Sequence, residues 1–176
     1  MPPKIDPLAA GKAAIAEYDS DGDGTISGHE LDACPALKAA GKHYADAAGN
    51  ITADSIAEAI AQWQANRIAI TIMGVVVTMD GKPLDGATVT AVPEKFLGPE
   101  VQPASGVTDA RGGCALRVQG QLGMQYGLYR VRISKLVGAK ESLPPRYNTA
   151  TQLGLEVAPI AGGLTTTGAT FNLTCH

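Results

Sequence analysis

Apolar residues recur at helical spacing in the first third of the chain and at strand-like spacing after residue 67. Ile56, Ile60 and Trp63 fall at i, i+4 and i+7, which predicts the buried face of a helix that begins at Thr52. An earlier helix is predicted after Asp6, since Pro7 suits a first helical position. Its expected apolar stripe consists of Ile5, Leu8, Ile15 and Tyr18.

The composition changes near Asn66-Arg67, from alanine-rich helical sequence to β-branched runs separated by Gly and Pro. Short strands divided by turn residues are typical of a two-sheet antiparallel sandwich. The fold class is therefore predicted to be α+β with two domains, a helical domain at 1–66 and an antiparallel β-sandwich at 67–176. The predicted strands are 68–79, 87–92, 114–118, 127–134, 154–158 and 169–174.

The polar segment 19–30 has the spacing D-x-D-x-D-G-x₅-E, which is the pattern of an EF-hand calcium loop. Calcium takes six to eight oxygens, so the loop must present many oxygens from few residues. Three aspartates, a backbone carbonyl, a water-bridging serine and a closing bidentate glutamate would supply them, while Gly24 permits the sharp turn. The alternative is an acidic, glycine-rich surface turn that binds nothing. The expected ligands are Asp19, Asp21, Asp23, Thr25, Ser27 and Glu30.

A second, degenerate EF-hand is predicted at 44–55. EF-hand loops usually pair through a short β-bridge, and Ile51 is the natural partner of Ile26. Asp46 alone remains of the usual carboxylates, and Ser55 stands where a bidentate glutamate is needed. We therefore expect one calcium ion per chain, with an affinity anywhere from roughly 10⁻⁷ to 10⁻³ M. The alternative is a plain helix–loop–helix with accidental spacing.

Charge and hydropathy exclude several classes of protein. The net charge is −3, and the four carboxylates of the 19–30 loop account for it, so no basic stripe is available for nucleic acid. The longest apolar run is too short for membrane insertion. No signal peptide is visible after Met1, so the chain is expected to be either cytoplasmic or the mature part of a longer precursor.

No catalytic constellation is present, and the chain is predicted not to be an enzyme. His29, His43 and His176 stand near no nucleophile motif. Cys34 is expected to be a small core residue, and an odd cysteine count argues against a disulfide framework. Cys114 and Cys175 are predicted either to pair, if their strands are neighbours, or to be buried free thiols.

The second half contains a series of short strings in a fixed order. They are Gly74-Val75-Val76-Val77-Thr78, Gly81-Lys82-Pro83-Leu84-x-Gly86-Ala87-x-Val89-Thr90, Thr108-Asp109-x-x-Gly112, Tyr129-Arg130-Val131 and Leu143-Pro144-Pro145-Arg146-Tyr147-Asn148. Their order resembles that of the carboxypeptidase regulatory-like domains, which are transthyretin-like (prealbumin-like) sandwiches. The resemblance covers about residues 70–174, and the last string is similar to one in bacterial envelope-associated members. It implies a non-catalytic structural or binding role for this half.

The sequence thus favours a non-enzymatic calcium-binding protein, with one ion in the 19–30 loop stabilising a module of the cell envelope or exterior. An unidentified protein or carbohydrate is the expected partner of the sandwich. The alternative is an intracellular calcium sensor that recruits a protein partner. Opening sensors use methionine-rich grooves, and the helical half holds only Met1, which disfavours the sensor.

Overall fold

Three α-helices lie in the first part of the computed structural model, which describes residues 1–159 and 168–175. They are α1 (Pro7–Tyr18), α2 (Pro35–Ala40) and α3 (Ala53–Ala65). The predicted helix starts are confirmed, because Asp6 Oδ1 accepts from the Ala9 N–H at 3.0 Å and Thr52 Oγ1 accepts from the Ser55 N–H at 3.1 Å. Short 3₁₀ turns at Gly28–Asp32 and Gly41–His43 flank α2. None of the described helices has the length and apolarity to cross a membrane.

The buried face of α1 is made of small residues, and the predicted apolar stripe is partly wrong. Leu8 is 63 % exposed, whereas Ala10, Gly11 and Ala14 are buried. A Cβ at Gly11 would lie 2.2 Å from the carbonyl oxygen of Ala53. The helix therefore turns its smallest residues to α3 because only they permit so close an approach.

The two loops of the helical part pair as predicted. Ile26 in β1 (Thr25–Ile26) lies opposite Ile51 in β2 (Ile51–Thr52), and both side chains are fully buried. The predicted apolar face of α3 is likewise confirmed, since Ile56, Ile60 and Trp63 all belong to the core.

The remaining strands form two main sheets. Their bounds are β3 (Gly74–Met79), β4 (Lys82–Pro83), β5 (Thr88–Pro93), β6 (Ala104–Val107), β7 (Gly113–Ala115), β8 (Arg117–Val118), β9 (Gln121–Leu122), β10 (Gly127–Ser134), β11 (Leu136–Val137), β12 (Lys140–Glu141), β13 (Leu153–Val157) and β14 (Gly168–Leu173). One sheet is antiparallel and six-stranded, with the order β13-β10-β5-β6-β8-β9. In the other, β3 pairs with β14, β4 and β7, and a separate hairpin pairs β11 with β12.

The prediction missed β4, β6, β9, β11 and β12, and three of the strands that it did contain differ from the structure by more than a shift of one residue at the ends. The first strand covers only Gly74–Met79 of the expected 68–79. The expected strand 114–118 is divided at the buried Leu116, so that β7 pairs with β3 and β8 pairs with β6 in the other sheet. The last strand, β14, runs parallel to β3, with Gly168 opposite Gly74. Side-chain alternation gives the faces of a strand but not its direction, so the parallel pair could not be foreseen.

The mixed α+β class is confirmed, and one connected set of buried residues includes side chains from the helices and from both main sheets. Helix α2 packs on β13 and β10. A Cβ at Gly154 would lie 1.9 Å from the carbonyl oxygen of Pro35, so a glycine is needed where α2 meets β13.

All three cysteines are free thiols. Cys34 is fully buried, as expected for a core residue. The hypothesis that Cys114 and Cys175 pair is wrong, because β7, which holds Cys114, and β14, which Cys175 follows, lie on opposite sides of β3. The alternative of two buried thiols is also wrong, since Cys114 is half-buried and Cys175 is exposed.

Candidate metal centre

The carboxylates of Asp19, Asp21 and Asp23 converge. Each offers one oxygen atom, and these three atoms all lie within 4.8 Å of one another. Asp23 and Asp21 are exposed and Asp19 is half-buried. Carboxylate oxygens at this spacing are the hard donors that calcium prefers, and their mutual repulsion is relieved by a divalent cation. The three aspartates therefore fit the metal that the loop pattern predicts.

Backbone N–H groups hold the loop around these carboxylates. Asp19 Oδ1 accepts from the Gly22 N–H at 2.7 Å, and Asp19 Oδ2 accepts from the Gly24 N–H at 2.9 Å. Both glycines have positive φ, +79° and +85°, a region that favours glycine. Asp23 Oδ1 accepts from the N–H and the hydroxyl of Thr25, both at 2.8 Å. The turn itself therefore favours glycine at both positions, of which the motif defines only Gly24.

Glu30 is 3 % exposed and lies outside the group of three aspartates. Its Oε2 accepts from the Ser27 N–H at 3.0 Å, and its Oε1 accepts from the Ser20 N–H at 2.7 Å and the Ser20 hydroxyl at 3.0 Å. These bonds, that of Ser27 foremost, lower the pKa of Glu30 to about 2 and keep the carboxylate charged. Bidentate coordination of calcium requires Glu30 to exchange some of these donors for the ion.

The other two expected ligands lie in the second half of the loop. Thr25 lies on β1 opposite Thr52, and Ser27 begins the 3₁₀ turn that contains Glu30. The Ser-x-x-Glu spacing of the sequence thus corresponds to a real turn start, in which the Glu30 N–H donates to the Ser27 carbonyl at 3.0 Å.

The second loop is closed by its own hydrogen bonds. Asp46 Oδ1 accepts from the Ala48 N–H at 2.9 Å and from the Asn50 N–H at 3.0 Å, and the Asn50 bond is the main reason that the pKa of Asp46 is lowered. Ser55, at the position of the closing glutamate, instead accepts from the Thr52 N–H at 3.1 Å and so completes the capping box in which Thr52 caps α3. These contacts agree with a loop kept for packing.

Tyr44 occupies the first position of the second loop, where a ligand aspartate would stand. It is buried, and its hydroxyl donates to Glu156 Oε1 on β13 at 2.7 Å. His43 Nδ1 lies 2.7 Å from the other oxygen of Glu156. Tyr44 and the preceding His43 therefore attach the second loop to the sheet, which sequence reasoning missed.

The other two histidines are not part of this contact. His29 Nε2 lies 3.5 Å from the Ser20 hydroxyl, and His176 falls outside the described residues.

A polar cluster beside the first loop was also missed. It consists of Tyr18, Glu94 and Arg130 together with the carbonyl of Ala33. The sequence gave no signal for Glu94, which stands 76 residues from Tyr18. Only the tertiary fold brings these groups together.

Comparisons of the chain with protein-family models, with curated proteins and with solved structures found no match.

Proposed function

We propose that this chain is a non-enzymatic calcium-binding protein that holds one ion in the 19–30 loop. The observation that carries the proposal is the convergence of Asp19, Asp21 and Asp23 within a loop that matches the calcium-binding pattern at every defined position. The Ile26–Ile51 pairing of the two loops supports it, because paired loops are how EF-hands are usually built. The ion would be held by the three aspartates, Glu30 and oxygens of Thr25 and Ser27.

A structural ion is favoured over a sensor. The apolar face of α3 is buried in the same core that continues into the sheets, so exposing it on calcium binding would break that core. The resemblance of the second half to carboxypeptidase regulatory-like sandwiches extends the proposal to a module of the cell envelope or exterior. There, millimolar calcium would keep even a weak site filled. The ion would then stabilise the helical part and the surface that meets a protein or carbohydrate partner.

The decisive experiment is a calcium titration of the metal-stripped full chain by calorimetry, with magnesium as the competing ion. We expect one site of ~10⁻⁴ M or weaker for a constitutively filled structural ion. No uptake of calcium would contradict the proposal. One site near ~10⁻⁶ M that excludes magnesium would favour the sensor, as would calcium-dependent binding of a dye specific for exposed apolar surface.

Glu30→Gln should weaken calcium binding by more than about 10-fold, which is the least that altering even a supporting partner of a metal ligand commonly costs. The matched control is Ser55→Ala, at the same position of the second loop. It removes the hydroxyl that accepts from the Thr52 N–H but keeps the Thr52 cap, so it should lower stability slightly and leave a stoichiometry of one ion unchanged. A lower stoichiometry in Ser55→Ala would show that the second loop also binds metal.

A further inference from the structure

The chain segments that enter and leave the 19–30 loop are both attached to one ion pair on the six-stranded sheet. Tyr18 immediately precedes the first loop aspartate, and its hydroxyl donates to Glu94 Oε2 at 2.8 Å. Ala33 follows the loop, and its carbonyl accepts from Arg130 at 2.8 Å. Glu94 Oε2 lies 3.5 Å from the Nη2 atom of Arg130. The two ends of the candidate calcium loop therefore meet at a single cluster.

Two members of this cluster, Tyr18 and Glu94, are buried, whereas the Arg130 side chain is 32 % exposed and Ala33 is exposed. Glu94 is 4 % exposed, and its N–H donates to the Leu128 carbonyl of β10 at 2.9 Å. The Tyr18 ring packs edge-to-face on Phe96, with ring centroids 6.3 Å apart. Charged groups placed in such an environment interact more strongly than on the surface, and loss of one partner leaves the other poorly paired. The cluster can therefore hold the loop ends with appreciable energy.

One oxygen of the cluster is not satisfied. Among the described residues, Glu94 Oε1 is buried and accepts no hydrogen bond, while Oε2 carries the contacts to both Tyr18 and Arg130. A carboxylate that depends on one of its two oxygens is sensitive to small shifts of its donors. Movement of the loop ends should consequently change the contacts of Glu94 with Tyr18 and Arg130.

We propose that this Tyr18–Glu94–Arg130–Ala33 cluster couples calcium binding to the docking of the helical part on the six-stranded sheet. The inference rests on the proposed function, since it concerns the same loop. Gathering the loop carboxylates and Glu30 around one ion fixes the separation of the chain at Tyr18 and Ala33. The cluster fixes the same separation from the sheet side. By linkage, an intact cluster must then tighten calcium binding, and calcium must strengthen the cluster by the same factor.

The test is a calorimetric calcium titration of full-length wild type, Tyr18→Phe and Tyr44→Phe under one set of conditions. Tyr18→Phe keeps the ring on Phe96 and removes only the hydroxyl. Tyr44→Phe is the matched control, because it removes an equivalent Tyr–Glu hydrogen bond, 2.7 Å long, between the second loop and the same sheet. We expect Tyr18→Phe to raise the calcium Kd about 5-fold or more, the usual lower range of coupling between sites, and Tyr44→Phe to change it by less than about 2-fold.

The outcomes separate the two proposals. A wild type that takes up no calcium would overturn the proposed function and this coupling together. Calcium binding by wild type with an equal Kd in Tyr18→Phe would overturn the coupling alone. Equal weakening in both tyrosine variants would also overturn it, because the effect would then come from general loss of stability.

A measurement on wild type alone covers the case in which Tyr18→Phe does not fold. Calcium should slow amide hydrogen exchange in the turn Lys95–Leu97 that follows Glu94, even though no expected ligand lies there. The internal control is the exposed β11–β12 hairpin, whose exchange should not change. Unchanged exchange in Lys95–Leu97 on calcium saturation would count against the coupling.

Discussion

A single carboxylate organises the turn that joins β6 to β7. Asp109 Oδ1 accepts from the Arg111 N–H at 2.8 Å and from the Gly113 N–H at 3.0 Å, and these bonds, Gly113 foremost, lower the pKa of Asp109. Gly112 has φ +76°, and its carbonyl accepts from the Val77 N–H of β3 at 2.8 Å. The Thr-Asp-x-x-Gly string of the sequence is thus a turn that attaches β7 to β3.

Asp109→Asn should lower the stability of the protein at neutral pH, and it should reduce the further loss of stability as the pH falls. Because the folded state holds the pKa of Asp109 below its ordinary value, the charged form contributes stability above about pH 4, and this contribution is lost as pH falls further. The urea midpoints of wild type and variant should therefore differ at pH 7 and converge towards pH 3. Asp85→Asn is the control, since Asp85 is exposed and shows no hydrogen bond among the described residues. A difference that stays constant with pH would contradict this reading.

At the scale of elements, features that depend on residues near one another in the chain could be predicted from the sequence. Close contacts between elements far apart in the chain could not. The conformation of the 19–30 loop, the cap at Thr52 and the buried face of α3 follow from residues near one another in the chain. The docking of α1 through Gly11 depends on a backbone contact with Ala53, 42 positions away, that no periodicity reveals. The same holds for the Tyr18–Glu94 contact. The sequence therefore predicted the 19–30 loop but not the Tyr18–Glu94–Arg130–Ala33 cluster beside it.

Gly154→Ala should separate α2 from β13. A Cβ at this position would lie 1.9 Å from the Pro35 carbonyl oxygen and 2.6 Å from the Ala36 nitrogen, and these are backbone atoms that cannot move aside cheaply. We expect a loss of about 1–3 kcal/mol in the free energy of unfolding, measured by urea titration.

Gly41→Ala is the matched control for this prediction. Gly41 follows α2 in a right-handed helical conformation, with φ −46° and ψ −32°, and a Cβ there would meet no atom within 4 Å. Alanine fits that conformation, so stability should stay equal or rise by up to about 1 kcal/mol. Similar losses in both variants would show that the α2–β13 contact is not the cause.

At the scale of the whole molecule, contacts at separate places join the helical part to the six-stranded sheet. Helix α2 lies on β13 and β10, Tyr18 reaches Glu94, and Tyr44 reaches Glu156. The buried residues on the two sides belong to one connected cluster. A boundary near residue 66 therefore marks a change of composition, while the packing continues across it.

This continuity predicts one cooperative unfolding transition. Trp63, the only tryptophan, reports on the helical part through its fluorescence, and hydrogen exchange of the β10 amides reports on the sheet. Both probes should give the same denaturant midpoint, because small units that share a core unfold together. Calcium should raise both midpoints equally, since an ion that binds only the folded state stabilises the entire cooperative unit. A Trp63 midpoint that rises with calcium while that of β10 stays fixed would instead show that the two parts unfold independently.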